Sequence, residues 1–393
     1  MLDFGQHNST GEQWRSYTLN PDMLKLARES RGLTQKELSQ KIGIRQGTYS
    51  KIEGGTLSFT DEVADRVSTE LEYPKSFFER HSKLYPLSVT YYRRNLTLPK
   101  KTLLQVEARL DVVCMSIAKL TDSVDCPPTN LPVWDVEKYG SPEKAAISLR
   151  EMWRVPKGPL RKLIELIEDN GILVVGFDFG ADGIDGFAIR GAHNDPIIFF
   201  NSNLPGDRRR LTIAHELAHL MLHIGLKCAE HRDIEKEAFG FASEFLVPAS
   251  EFAKSFVRLD LPTLAGMKQY WSVSMQSLIV KAQNHSLITA NQSRYLWQLM
   301  AKNDYLKREP VAIDVPIEEP SLLREIIEVY QSELEYSIDE IAQSVSLTTK
   351  EFLQTFFTKK RSLFKIVRST DADRKQPSHS TEKSTGGSMK RVT

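Results

Sequence analysis

Cysteine is scarce: Cys114, Cys126 and Cys228 are the three in 393 residues, an odd number with no CxxC spacing. That excludes a disulfide-stapled miniprotein and a cysteine zinc cluster, and predicts a reducing, cytoplasmic compartment. No stretch approaches the roughly 18 consecutive apolar residues of a membrane span. The opening MLDFGQHNST lacks the basic and apolar regions of a secretory signal, so neither secretion nor membrane insertion is expected. There is no excess of one charge either: 52 basic side chains face 51 acidic ones. Any contact with nucleic acid must therefore come from a local patch. What is present is ordinary, 26% charged and 40% hydrophobic, the composition of a chain that folds over most of its length. At about 100 to 200 residues per domain, two or three units are expected.

Charge is unevenly spread. Between Lys25 and Glu53 there are seven Lys or Arg against three Glu, and Lys83, Arg93, Arg94, Lys100 and Lys101 follow, interleaved with Tyr85, Tyr91 and Tyr92. Pro99 opens a helical pattern through Leu103, Val106, Leu110, Val113 and Ile117, read as a connector, which CPPTNLP breaks. Ser141 can cap a helix through Val155, and another ends at Asn170-Gly171. The runs ILVVGF, GFAI and IIFF predict three strands. Asp207 can cap a helix through His223, and a further helix from about Asp233 stops before Pro248. Ten acidic residues and one Arg occupy 309–340, a solvated face or one that docks on the basic N-terminal segments. Within that region, SIDEIAQSVSLTTKEF has the period of a second helix-turn-helix. The acidity around it opposes phosphate binding and favours an interaction or dimerisation module.

Residues 23–55 read MLKLARESRGLTQKELSQKIGIRQGTYSKIEGG. Leu24, Ala27, Leu33, Leu38 and Ile42 form an apolar stripe, and Thr34 can cap the second helix with Glu37 at its third position. Gly43 sits at a tight turn and Ile44 plugs the core. The helix from Gln46 to Glu53 carries Tyr49 and Ile52 inward, with Gln46, Thr48, Ser50 and Lys51 outward. Outward amides, hydroxyls and a lysine suit base edges and phosphates, although a plain helical bundle with a polar face would share the pattern. The run resembles the helix-turn-helix of the phage-repressor and XRE regulators, with Ser39 in place of the usual Ala. By that resemblance Gln35 touches phosphate, the helix starting near Gln46 enters the major groove, and Arg45 joins the DNA-binding set.

His215-Glu216-Leu217-Ala218-His219 is an HExxH motif within a predicted helix. Its histidines lie one turn apart on one face, as a shared zinc requires, unless they are satisfied core histidines. Glu216 can polarise a zinc-bound water. Candidates for a third ligand are His223, Cys228, His231, Glu235 and Glu237. His223 is eight residues from His215, about 12 Å along the helix, too far to share the metal, and is a candidate for outer support or packing. On the following helix the apolar positions Ala238, Phe239, Phe241, Ala242, Phe245 and Leu246 cluster on one side. Glu235 falls near that side and Glu237 away from it, which selects Glu235. Cys228 is a redox-sensitive extra ligand or an idle thiol.

Together RRRLTIAHELAHLMLH and EKEAFGFASEFLVP resemble the ImmA/IrrE family of zincin-like metallopeptidases, over roughly residues 125–290. By that pattern His215, His219 and Glu235 bind zinc and Glu216 is the general base. Ala218 replaces the usual Gly, and Phe239 stands where Asn or Asp is usual, a position from which a polar residue commonly orients a ligand.

The expected fold is multidomain: an all-α helix-turn-helix domain, an α+β zincin-like domain with a small sheet, and a helical C-terminal region. The expected divisions are an arm over 1–19, the helix-turn-helix over 20–80, a basic segment and connector over 81–124, the metallopeptidase over 125–295, an acidic helical module over 296–368 and a disordered tail over 369–393. The function implied is a homodimeric regulator of a double-stranded DNA operator whose zinc endopeptidase cleaves a repressor-like protein, in trans or within its own chain, under stress or an element-specific signal. The rivals are a regulator whose zincin-like domain senses a ligand without cleaving, and an antitoxin-like autorepressor.

Overall fold

A computed structural model describes residues 19–81, 98–181, 183–191, 194–226, 228–229, 231–254 and 260–357. The expected arm, the basic residues Lys83, Arg93 and Arg94 with their tyrosines, and the expected tail lie outside the described residues.

The described residues begin with four helices, α1 (Pro21–Ser30), α2 (Gln35–Lys41), α3 (Gln46–Glu53) and α4 (Asp61–Leu71). The Thr34/Glu37 capping box is formed: the Glu37 amide donates to Thr34 Oγ1 at 3.2 Å and the Thr34 amide to Glu37 Oε2 at 2.6 Å. Gly43 takes the left-handed φ of +71° that the turn into α3 needs. Met23, Leu24, Ala27, Leu38, Tyr49 and Ile52 fill the core.

Helix α5 (Lys100–Thr121) was expected as a connector, yet ten residues from Val106 to Leu120 are buried. It shares one apolar core with the first four helices on one side and part of the sheet on the other. Helix α6 (Val136–Tyr139) precedes α7 (Pro142–Met152), which Ser141 caps as expected but which stops before Val155, because Arg154 turns left-handed at φ +54°. Helix α8 (Leu163–Asp169) leads into three strands, β1 (Leu173–Phe177), β2 (Gly186–Arg190) and β3 (Pro196–Asn201). Their order is β1-β3-β2, with β1 parallel to β3 (Leu173 opposite Ile197) and β2 antiparallel to it (Gly186 opposite Phe200).

Successive side chains of a strand point to opposite faces. Leu173, Val175 and Phe199 therefore join the core shared with α5, while Val174, Ile198 and Phe200 join a second core. That second core is built on α9 (Gly206–Leu222) and α10 (Ile234–Leu246), with α11 (Ala249–Lys254), α12 (Leu261–Trp271), α13 (Met275–Asn284) and α14 (Ala290–Lys302) following. Helix α10 begins where expected, and Asp233 caps it, accepting from the Lys236 amide at 3.1 Å. Asp207 does not cap α9: the helix begins one residue before it and Pro205 holds the cap position. The Asp207 carboxylate instead meets buried Lys268, which also donates to Glu309 at 2.7 Å.

The chain ends its described part with α15 (Leu322–Ser332), α16 (Ile338–Ser344) and α17 (Thr349–Phe356). The last two are the expected second pair, each with an N-terminal cap, and they pack inward. Ion pairs fasten α17 to the first domain, Arg31 to Glu351 at 2.9 Å and Lys350 to Glu72 at 2.8 Å. The acidic run 309–340 finds basic partners on α9, where Glu318 pairs with Arg210 and Glu319 with Arg209 at 3.3 Å. All three arginines before HExxH thus find acidic partners, Arg209 and Arg210 buried and Arg208 at the surface with Asp185 at 2.6 Å.

Candidate metal centre and nucleic-acid interface

The i, i+4 spacing on α9 sets His215 and His219 one above the other, and both rings turn Nε2 toward one point. The two Nε2 atoms are 3.0 Å apart. Glu235, in the first turn of α10, brings Oε2 to 3.3 Å from His215 and Oε1 to 3.6 Å from His219. These three are the group of ligand-type side chains among the described residues whose donor atoms lie within 4.8 Å of one another. Cys228, His231 and Glu237 do not join it. Burial, and then the neighbouring His215 and His223, hold the His219 pKa well below its ordinary value, which keeps the ring neutral with a lone pair to offer.

His223 stands behind His219. Their Nδ1 atoms are 2.9 Å apart, and His223 Nε2 is 3.1 Å from Glu237 Oε2. Arg232 closes the chain, its Nε donating to Glu237 Oε1 at 3.0 Å. Burial pushes the Glu237 carboxyl up, but hydrogen bonds from Arg232 and His223 outweigh it and hold the pKa below the ordinary value. The group passed over as third ligand thus anchors a line of side chains that fixes the His219 ring.

Glu216 is buried beside His215 and faces a cleft of about 350 Å³ lined also by Gly186, Arg208, Thr212 and Phe239. Phe239 departs from expectation. It is 51% exposed and lies outside the apolar stripe of α10, because it shares the Glu235 flank one turn on and turns toward the cleft. Its ring packs on that of His215, centroids 4.4 Å apart.

On the first domain, Arg45, Gln46 and Lys51 are exposed and Thr48 and Ser50 half-buried along the outer side of α3, while Tyr49 and Ile52 face in. Gln35, half-buried, donates to Glu53 at 2.9 Å and lies 3.5 Å from the Gln46 amide. Glu53 in turn receives Arg28 in bidentate fashion, Nε to Oε2 and Nη2 to Oε1, each at 2.7 Å. Burial disfavours the Glu53 charge, but Arg28 and Gln35 overcome it and hold its pKa low. Helix α3 is therefore tied at its last turn to α1 and at its first to α2.

Residues 24–78 match the Helix-turn-helix family, and residues 167–283 match the IrrE N-terminal-like domain. The chain joins an XRE-type helix-turn-helix to an IrrE/ImmA-like domain. The two matches describe a DNA-binding regulator with a peptidase-like domain. No curated protein matches the chain. Among the described residues, no helix is long and apolar enough to cross a membrane.

In the IrrE/ImmA-like domain, the sequence missed Arg232, Gly186 and the role of Glu237. Arg232 lies before α10 in no periodic pattern, and Gly186 reads as any strand-opening glycine. In the helix-turn-helix, the Arg28–Glu53 pair spans 25 residues and left only two unremarkable letters.

Proposed function

We propose that this chain is a cytoplasmic DNA-binding regulator whose IrrE/ImmA-like domain is a zinc endopeptidase. The observation that carries the reading is the convergence of His215, His219 and Glu235. A tetrahedral zinc with bonds of about 2.0–2.1 Å has ligand–ligand edges of roughly 3.3 Å. The three donor separations, 3.0, 3.3 and 3.6 Å, bracket that value. Two imidazoles and one carboxylate also leave a fourth position for water, the donor set of a catalytic site.

Zinc bound there supplies a Lewis acid and an acidified water. Glu216 accepts a proton from the attacking water at its carboxylate and returns it to the leaving nitrogen. His223, Glu237 and Arg232 keep the His219 ring aimed. The proposed divisions are the helix-turn-helix over 20–80, the peptidase over 125–295 and the acidic helical module over 296–368. Arg45, Gln46, Thr48, Ser50 and Lys51 read the major groove, Gln35 touches phosphate, and a homodimer spans two half-sites about one helical turn apart. The substrate is a repressor-like protein, in trans or this chain itself, cleaved in response to stress or an element-specific signal.

A second reading, a ligand sensor without cleavage, is favoured by a cavity of about 540 Å³ that shares Phe239 and Leu211 with the cleft. Glu216→Gln separates the two, since it keeps the ligands and removes the base. In the peptidase reading, cells carrying it retain zinc and operator binding in the purified protein but lose the new protein N-termini and the induction seen with the wild type. Normal induction with an unchanged set of N-termini would decide for the sensor.

A further inference from the structure

We infer that Phe239 weakens the metal centre by denying His215 a hydrogen-bond acceptor, so that the site fills only at higher free zinc than its donor set would otherwise need. The inference rests on the metal-site reading above. The two histidines of α9 are supported in opposite ways. Behind His219 runs the line His223, Glu237, Arg232, ending in an ion pair. Behind His215 there is none among the described residues: its Nδ1 is buried and has no hydrogen-bond partner. The ring of Phe239 packs against the His215 ring instead, tilted 54° at 4.4 Å between centroids.

With Nε2 turned to the ligand cluster, a neutral His215 that offers its lone pair there carries its proton on Nδ1. That N–H has lost water and gained only an aromatic neighbour, a weak acceptor at best. Packing still limits the ring's motion, so the ligand is held but not wired. Partners of this kind are worth roughly 10- to 100-fold in metal affinity. Phe239 itself is half exposed, whereas Ala238, Phe241 and Ala242 around it are fully buried, so the core does not depend on its ring. Asn is shorter than Phe and carries an amide oxygen on the same Cβ, facing the same imidazole.

The test is zinc affinity of the full chain, measured by competition with a chelating dye for wild type, Phe239→Asn, Phe239→Leu and His215→Ala. Phe239→Asn should bind about tenfold tighter, at the lower end of the range for such partners. Phe239→Leu, which changes the packing without adding an acceptor, should stay at or below wild type. In nitrogen-15 spectra of the zinc-loaded protein, the His215 Nδ1–H of Phe239→Asn should move downfield, a signature that mere repacking does not produce. If His215→Ala loses zinc but Phe239→Asn binds no tighter than Phe239→Leu, the inference is wrong while the metal site stands. If His215→Ala binds zinc like the wild type, both fall together.

Discussion

Gly186 on β2 lies so close under Glu216 on α9 that a methyl group added there would stand 3.0 Å from Glu216 Cγ and 2.5 Å from Thr212 Cγ2. The edge strand and the HExxH helix can touch at this point only because the strand carries no side chain there. Gly186→Ala should therefore lower stability by about 1–3 kcal/mol, the range for overpacking, and shift Glu216. Thermal melts and zinc content check it together: a lower melting temperature with one zinc retained is expected, and an unchanged melt would contradict the close approach.

Glu237 supports His219 only through His223. Glu237→Gln should keep one zinc per chain but bind it roughly tenfold more weakly, because the outer partner loses its charge. Glu235→Gln should lose the metal. Elemental analysis after gel filtration distinguishes them, and the opposite ranking would exchange the roles of the two glutamates.

Lys51 and Gln46 lie on the exposed side of α3 with different chemistry. Lys51→Ala should weaken binding to all duplexes and reduce the slope of log affinity against log salt by about one. Gln46→Ala should relax sequence choice. Selection from random duplexes followed by salt titration reads both effects, and a failure of the wild type to enrich any sequence would remove the operator claim.

Arg28 and Glu53 form a buried pair that no surface screening softens. Removing one partner of such a pair typically costs about 3–5 kcal/mol. Arg28→Met should therefore loosen the helix-turn-helix and abolish operator binding, although neither residue faces DNA. Amide exchange should show α3 opening first, and protection equal to wild type would rule the effect out.

Glu168 accepts from the backbone amides of Ser321 and Leu322 at 2.9 and 3.2 Å and fastens the start of α15. Burial nevertheless dominates and pushes its pKa from 4.5 to about 7. The folded chain then binds this proton more tightly than the unfolded one, so stability falls as pH rises from 4.5 toward 7 and stays lower above it. A tenfold difference in proton affinity between the two states corresponds to roughly 1.4 kcal/mol. Melting temperature should decline across that window more steeply in the wild type than in Glu168→Gln, and parallel curves would refute it.

What could be read in the sequence was what is local. The Thr34/Glu37 box, the turn at Gly43 and the pairing of His215 with His219 are set by spacings of three or four residues, and the three strands by short β-branched or aromatic runs. Glu235 could be preferred over Glu237 because a helical arc separates the two. The same arc misplaced Phe239, since a helical projection cannot tell a flank that meets a neighbouring helix from one that meets a cleft. Long-range pairing was beyond it: Glu318 and Arg210 are 108 residues apart, and nothing in an acidic run names its partner. Only the fold, by laying the segment before α15 along α9, turns Glu318 from a solvent-facing charge into the partner of a buried arginine, while Glu325, Glu328, Glu333 and Glu335 stay exposed.

The three-stranded sheet has no face left over. Leu173, Val175 and Phe199 are sheltered in the core that also holds α5 and the helix-turn-helix, and Val174, Ile198 and Phe200 in the core of α9 and α10. A gene cut between the two domains would leave one of those rows wet, and the product would be a sticky fragment rather than half a regulator. Recombination that shuffles these units must therefore move the sheet with both its coverings, so that the helix-turn-helix and the IrrE/ImmA-like domain are inherited as one piece.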